Sequence, residues 1–217
     1  MGNRAVIKGA GSPIGIYLHW NGGRDSVEAF LKYCELRRFG GFGERSEYAV
    51  ARLTQVIANF FGGSMSIGIV GSGETEDSAR GLDNGIYIVE GWNIVRRVFS
   101  GVEQRKHDLN GMLLGIDATQ PEKEQLGEEF LKADVVPVSS LRIGDEVFFY
   151  DSVREKYKKC KVVGFGNDRV VNGVNRKGVP FVDRDDYYDG DYASNPNNYL
   201  MEETIRRVHQ EEEIPLF

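Results

Sequence analysis

Two stretches of the chain hold side chains whose types and spacing could do chemistry. The first is Tyr17-Leu-His-Trp-Asn-Gly-Gly-Arg-Asp25. A strand end followed by glycines and a helix start presents free backbone N–H groups, and Arg24 adds positive charge, so a small anion could bind there. His19 and Asn21 would line a pocket on the other face of the strand, with His19 as an acid or base. Asp25 opposes the anion, since as N-cap it would occupy the same donors. Local turn chemistry alone accounts for the glycines and the aspartate. The second stretch is Asp183-Arg-Asp-Asp-Tyr-Tyr-Asp-Gly-Asp191, where Asp183, Asp185, Asp186, Asp189 and Asp191 crowd together. Clustered carboxylates supply oxygen ligands for a hard cation. The EF-hand template fails, because counting from Asp185 puts Tyr187 third and Pro196 twelfth, where a bidentate glutamate is needed. A solvated acidic loop is the plainer reading. A third is that these carboxylates imitate a phosphate backbone and face a basic nucleic-acid channel.

Other catalytic signatures are missing. There is no Walker A spacing, and Gly9-Ala-Gly-Ser-Pro-Ile-Gly15 has its last glycine one position late and precedes a strand. Gly62-Gly-Ser-Met-Ser66 lacks the closing glycine of a nucleophile elbow. His19, His107 and His209 have no His or Cys partner at zinc spacing. His107 sits between Lys106 and Asp108 in a polar stretch and reads as solvated. No cofactor or metal is expected. Cys34 and Cys160 are far apart and in no CxxC pair, which suits a reduced intracellular protein.

The elements that must position these residues follow from periodicity. Ile14, Ile16, Leu18 and Trp20 alternate with polar or small residues, predicting a strand with Trp20 in the core and His19 opposite. Asp25 and Glu28 form a capping-box pattern before Val27, Phe30, Leu31 and Cys34, predicting a helix from about Ser26 to Arg37. A second helix starts near Ser46, with Leu53, Val56, Ile57 and Phe60 as its stripe and Gly62-Gly63 as its stop. Met65–Ile69 reads as a strand, Ser72–Leu82 as a polar loop, and Ile86–Phe99 as a hairpin. Thr119-Gln-Pro-Glu122 predicts a capped, charged connector helix to about Lys132. Beyond it, short β-prone runs at Val135–Val138, Glu146–Tyr150, Cys160–Phe165, Arg169–Val171 and Val179–Val182 suit a small barrel or curled sheet. Tyr199–His209 fits a helix or a last strand equally. The expected class is α+β. Two helices would lie on a mostly antiparallel sheet in residues 1–115, a connector would span 116–134, and an acidic, β-rich, barrel-like domain would occupy 135–217.

Composition bounds the function. The 217 residues carry a net charge of −6, and 41% are hydrophobic, so the chain can bury a core without disulfides or metal. Up to Gly115 there are 13 basic and 12 acidic residues; from Ile116 onward there are 14 and 21. An acidic balance argues against a nucleic-acid coat protein. Apolar runs such as Val147–Tyr150 are too short to span a bilayer, and the first residues lack a secretion h-region, so a cytoplasmic protein is expected.

Several uncommon words occur in order: Met1-Gly-Asn-Arg-Ala-Val-Ile7, Ile16-Tyr-Leu-His-Trp-Asn-Gly-Gly-Arg-Asp-Ser-Val-Glu-Ala-Phe-Leu-Lys-Tyr33, Ala51–Gly63, Ser66–Ile69 and Asp83–Tyr87. Over roughly its first 100 residues the chain resembles a family of small proteins carried by phages, prophages and plasmids, especially of Gram-positive bacteria. The resemblance brings no catalytic residues with it and leaves out the second half. It implies a mobile-element setting, where small acidic proteins often block host defence as anti-CRISPR proteins do. The leading expectation is a non-enzymatic inhibitor that binds a host nuclease complex, such as a CRISPR effector, through Asp183–Asp191. The alternative is a nucleotide sponge or nucleotide-handling enzyme using His19, Asn21 and Arg24.

Overall fold

The computed structural model describes residues 2–43, 46–62, 66–104, 106–152, 154–166, 169–171, 174–176, 178–183, 200, 202 and 204–208. It is a mixed α and β structure with four α-helices among the described residues, and it divides into two compact units, Met1–Gln125 and Leu126–Phe217. That division falls inside the stretch expected as a connector.

The first unit is built on a five-stranded sheet of order β3-β2-β1-β4-β5, from β1 (Ala5–Gly9), β2 (Ile14–Leu18), β3 (Ile67–Gly71), β4 (Ile86–Glu90) and β5 (Asn93–Val98). Only β1 and β4 pair in parallel. All five residues of β1 and the first four of β4 are buried, as central strands covered on both faces must be. On one face, α2 (Ser46–Phe60) packs on β2 and β3, while α1 (Arg24–Leu36) packs on α2, α3 (Leu109–Ala118) and β5. Of the expected stripes, Val27, Phe30, Leu31 and Cys34 on α1 and Leu53, Val56 and Ile57 on α2 are buried, while Phe60 at the end of α2 is half-buried. On the other face, Val6, Ile86, Ile88 and Val98 meet Tyr17, Val70, Ala79 and Leu82. The last two belong to the segment that reads as a polar loop; its apolar positions fold back as a lid over the sheet.

Four expectations are corrected. Trp20 is 43% exposed, because β2 ends at Leu18 and the chain turns through Asn21 at φ 53°. Gly23, not Asp25, is the N-cap of α1, and the Asp25 carboxylate accepts from the neighbouring Ser26 N–H. Gly22 allows that tight entry, since a Cβ there would lie 2.4 Å from the Asn3 carbonyl oxygen. Thr119 ends a helix rather than starting one, with its hydroxyl donating to the Ile116 carbonyl. The helix it ends, α3, is a third on this unit and is N-capped by Asp108, which accepts from Gly111 N–H at 2.9 Å.

The second unit holds α4 (Glu128–Lys132), β6 (Asp134–Pro137), β7 (Glu146–Asp151), β8 (Lys156–Phe165), β9 (Arg169–Val171), β10 (Val174–Arg176), β11 (Pro180–Val182) and β12 (Thr204–Arg207). Its larger sheet runs β11-β8-β7-β12-β6, and β9 and β10 form a separate hairpin. Among the described residues this sheet is open, with β11 and β6 at its edges, so the barrel-like closure expected from strand spacing is not formed there. β12 settles the ambiguous last segment as a strand over Thr204–Arg207. The core is Val138, Leu141, Val147, Cys160, Val162, Val182, Leu200 and Ile205. Arg206 closes α4 onto the sheet by donating to the carbonyls of Phe130, Leu131 and Ala133.

Candidate functional site

In the first unit the charged side chains link into a chain of pairs. Arg97 is the centre. Its guanidinium lies 4.4 Å from the Tyr87 ring centroid and 3.6 Å from that of Phe99, and it donates to the Asn84 carbonyl at 2.9 Å and to Glu103 at 2.8 Å. Glu103 also meets Arg24 at 3.2 Å, Arg24 donates to Glu28 at 2.5 Å, and Glu28 lies 3.0 Å from His107 Nε2. Burial disfavours the Glu103 carboxylate, but the bonds from Arg97 and Arg24 outweigh it and hold its pKa below the ordinary value. His107, expected as solvated, has only 11% of its side chain exposed, and its Nδ1 is buried without a hydrogen-bond partner.

A second group ties the lid down. Buried Lys8 donates to the Ser72 carbonyl at 2.7 Å and lies 3.5 Å from Glu74, which also accepts from Gly11 N–H and pairs with Arg96. The backbone bond from Gly11, helped by Lys8 and Arg96, holds Glu74 below the ordinary carboxylate value. Arg4 does the same to Asp83 with its side chain and its backbone N–H. Between the lid and the end of β5 lies an open groove of about 1130 Å³, lined among others by Glu74, Asp77, Arg80, Asp83 and Arg96. Acids and bases both line it, so it presents no single sign of charge.

The structure separates the residues of the first candidate stretch. His19 bonds to the Tyr17 hydroxyl at 3.0 Å and stands edge-on to Trp20 at 4.9 Å. Asn21 makes the left-handed turn, and Arg24 is occupied by Glu28 and Glu103. These side chains form two groups rather than one pocket. Of the second stretch, Asp183 is described: its backbone pairs with Lys161 and its carboxylate accepts from the Lys161 N–H, so it anchors the stretch to β8. Asp185, Asp186, Asp189 and Asp191 lie outside the described residues. Sequence reasoning missed Glu28, Arg97, Glu103 and His107. Only the Arg24–Glu28 spacing of four was a usable signal; the others meet through the fold.

Among the described residues no group of three or more His, Cys, Asp or Glu side chains is placed to hold a metal ion. No described helix is long and apolar enough to cross a membrane. Comparison of the chain with protein-family models, curated proteins and solved structures returned no match.

The fold does sharpen where the acid lies. Residues 1–182, ending with β11, carry 24 basic and 23 acidic side chains, whereas residues 183–217 carry 3 and 10. The whole charge excess follows the last residue of β11.

Proposed function

We propose that the protein is a non-enzymatic inhibitor of host defence carried by a mobile element, binding a host nuclease complex such as a CRISPR effector and competing there with nucleic acid. The observation that supports this reading is the concentration of the net charge in residues 183–217, behind a nearly neutral body. A dense carboxylate segment attached at Asp183 to a packed strand offers a basic channel what a phosphate backbone offers it. The first unit serves as the scaffold suggested by the mobile-element resemblance. The test is inhibition and binding with a guide-loaded nuclease. The full chain should block cleavage, binding should weaken with added salt, and Asn at Asp185, Asp186, Asp189 and Asp191 together should slow association by about tenfold or more. Cleavage that proceeds unimpeded at saturating protein would sink the proposal.

A second reading, a nucleotide-binding sponge, is favoured by the exposed indole of Trp20 set edge-on to His19. An exposed aromatic face can stack a base. Micromolar nucleotides would then raise the melting temperature, and Trp20→Ala would abolish the shift.

A further inference from the structure

Among the described residues the outer edge of β3 is left unpaired and unguarded, while the other three edges of the two larger sheets are guarded. β5 carries Arg96 and Arg97 in mid-strand, β6 carries Asp134 and Pro137, and β11 is three residues long and opens with Pro180. Charges, prolines and short length are the devices that stop an edge from pairing with another chain. β3, Ile67-Gly-Ile-Val-Gly71, has none of them, and its flanks Ser66 and Ser72 are uncharged. Its pairing with β2 fixes which backbone groups face outward. His19 N–H donates to the Ser66 carbonyl at 2.8 Å and Ser72 N–H to the Pro13 carbonyl at 3.1 Å. The alternation of an antiparallel ladder then turns Ser66, Gly68, Val70 and Ser72 toward β2, and turns the N–H and C=O of Ile67, Ile69 and Gly71 away from it. Among the described residues no strand pairs with that side.

We propose that two copies of the chain join through β3, antiparallel about a two-fold axis at Ile69, to make one continuous sheet. Self-pairing suits this strand in three ways. The three outward residues pair among themselves, Ile69 with its copy and Ile67 with Gly71, so each outward N–H and C=O finds a partner. Large stands opposite small, Ile67 against Gly71 and Val70 against Gly68, which lets the side chains of the copies interdigitate. No charge meets its own copy, the penalty that a symmetric interface imposes on any charged edge. The pairing also covers apolar surface. Ile69 is 53% exposed, and Ile14, on the same face of the adjacent β2, is 36% exposed.

Sedimentation of the full chain across a concentration series tests the proposal. The expected species has twice the 24.3 kDa mass of one chain; a monomer at every concentration would overturn it. Ile69→Pro removes an outward N–H that β2 does not use, so it should leave the circular dichroism spectrum intact and yield monomers. A dimer that survives this change overturns the proposal. Ile69→Asp and Ile69→Lys should each be monomeric alone and form a mixed dimer together; dimers of either variant alone would contradict the two-fold at Ile69. Hydrogen exchange on the unaltered protein needs no variant. The amides of Ile67, Ile69 and Gly71 should be protected at high concentration and exchange on dilution, while Gly68 and Val70 stay protected throughout. Fast exchange of all three outward amides at high concentration would rule the interface out.

Discussion

Tyr33 and Asp117 show what a single residue can carry in this fold. Both are buried, and the phenol donates to the carboxylate at 2.6 Å across 84 residues of sequence. Burial and the Asp117 hydrogen bond push the tyrosine pKa up, so the hydroxyl keeps its proton and remains a donor. A hydrogen bond to a charged group contributes about 1.5–3 kcal/mol. Tyr33→Phe should therefore lower stability by about 2 kcal/mol, read as a shift in urea midpoint with unchanged slope; an effect within error would show that Asp117 is satisfied without it. Arg97 allows a second test. It is stacked on two rings and bonded to Asn84 and Glu103 while nearly buried. Lysine keeps the charge but loses the plane and the fork, so Arg97→Lys should cost about 2 kcal/mol, within the range for losing a hydrogen bond between charged groups. Neither role was legible in the sequence. Local spacing exposes partners three or four residues apart, whereas Glu103, His107 and Asp117 reach α1 only through the tertiary fold. What was legible at this scale was the apolar stripe of α1 and the glycine turn before it.

At the scale of elements, periodicity worked where apolar residues alternate clearly with polar or small ones and failed where that contrast is weak. The stripes of α1 and α2 and the alternation in β2 were readable because large apolar residues recur there at a fixed spacing among polar or small ones. α3 was missed because Leu109-Asn-Gly-Met-Leu-Leu-Gly-Ile-Asp-Ala118 contains two glycines and little polar periodicity. Thr119 then looked like a start signal, when its hydroxyl was closing the helix behind it. The segment 72–82 carries no helix or strand, as a polar loop should, but the packing of its two apolar residues was not legible. Its polarity is real, but Glu74 pins it to Lys8, Gly11 and Arg96, which brings Ala79 and Leu82 onto the sheet. That clamp makes the lid sensitive to acid. Glu74, Asp83 and Glu103 all have folded pKa values below their ordinary ones. A carboxylate lowered in this way contributes stability above its unfolded pKa and loses it as pH falls through the folded value. The first unit should thus hold its stability down to about pH 4.5 and lose it progressively below that. Thermal melts across the acid range would show it, and Glu74→Gln should flatten the slope and speed amide exchange in residues 75–82. A pH-independent melting temperature between neutral pH and pH 3 would contradict this.

At the scale of the whole molecule, the boundary between units lies near Gln125, ten residues beyond the expected end of the first domain at residue 115, whereas the charge excess begins only after Val182. Charge marks surfaces and not cores, so it could not locate α3, which belongs to the first core although it crosses residue 115. The two cores are separately observable with native probes. Trp20 and Trp92 both lie in the first unit, and each unit buries one cysteine, Cys34 in the first and Cys160 in the second. Burial raises the pKa of the Cys34 thiol, so it reacts only when its helix opens. If the units open independently, Tyr33→Phe should speed labelling of Cys34 by about 30-fold, the factor corresponding to 2 kcal/mol, and leave Cys160 unchanged. Tryptophan fluorescence should likewise shift its urea midpoint while the remaining circular-dichroism transition stays in place. Equal acceleration at both cysteines would mean that the units unfold together. The sequence-distant bond between α1 and α3 would then stabilise the β-rich second unit as well, and with it the strand from which the acidic segment departs.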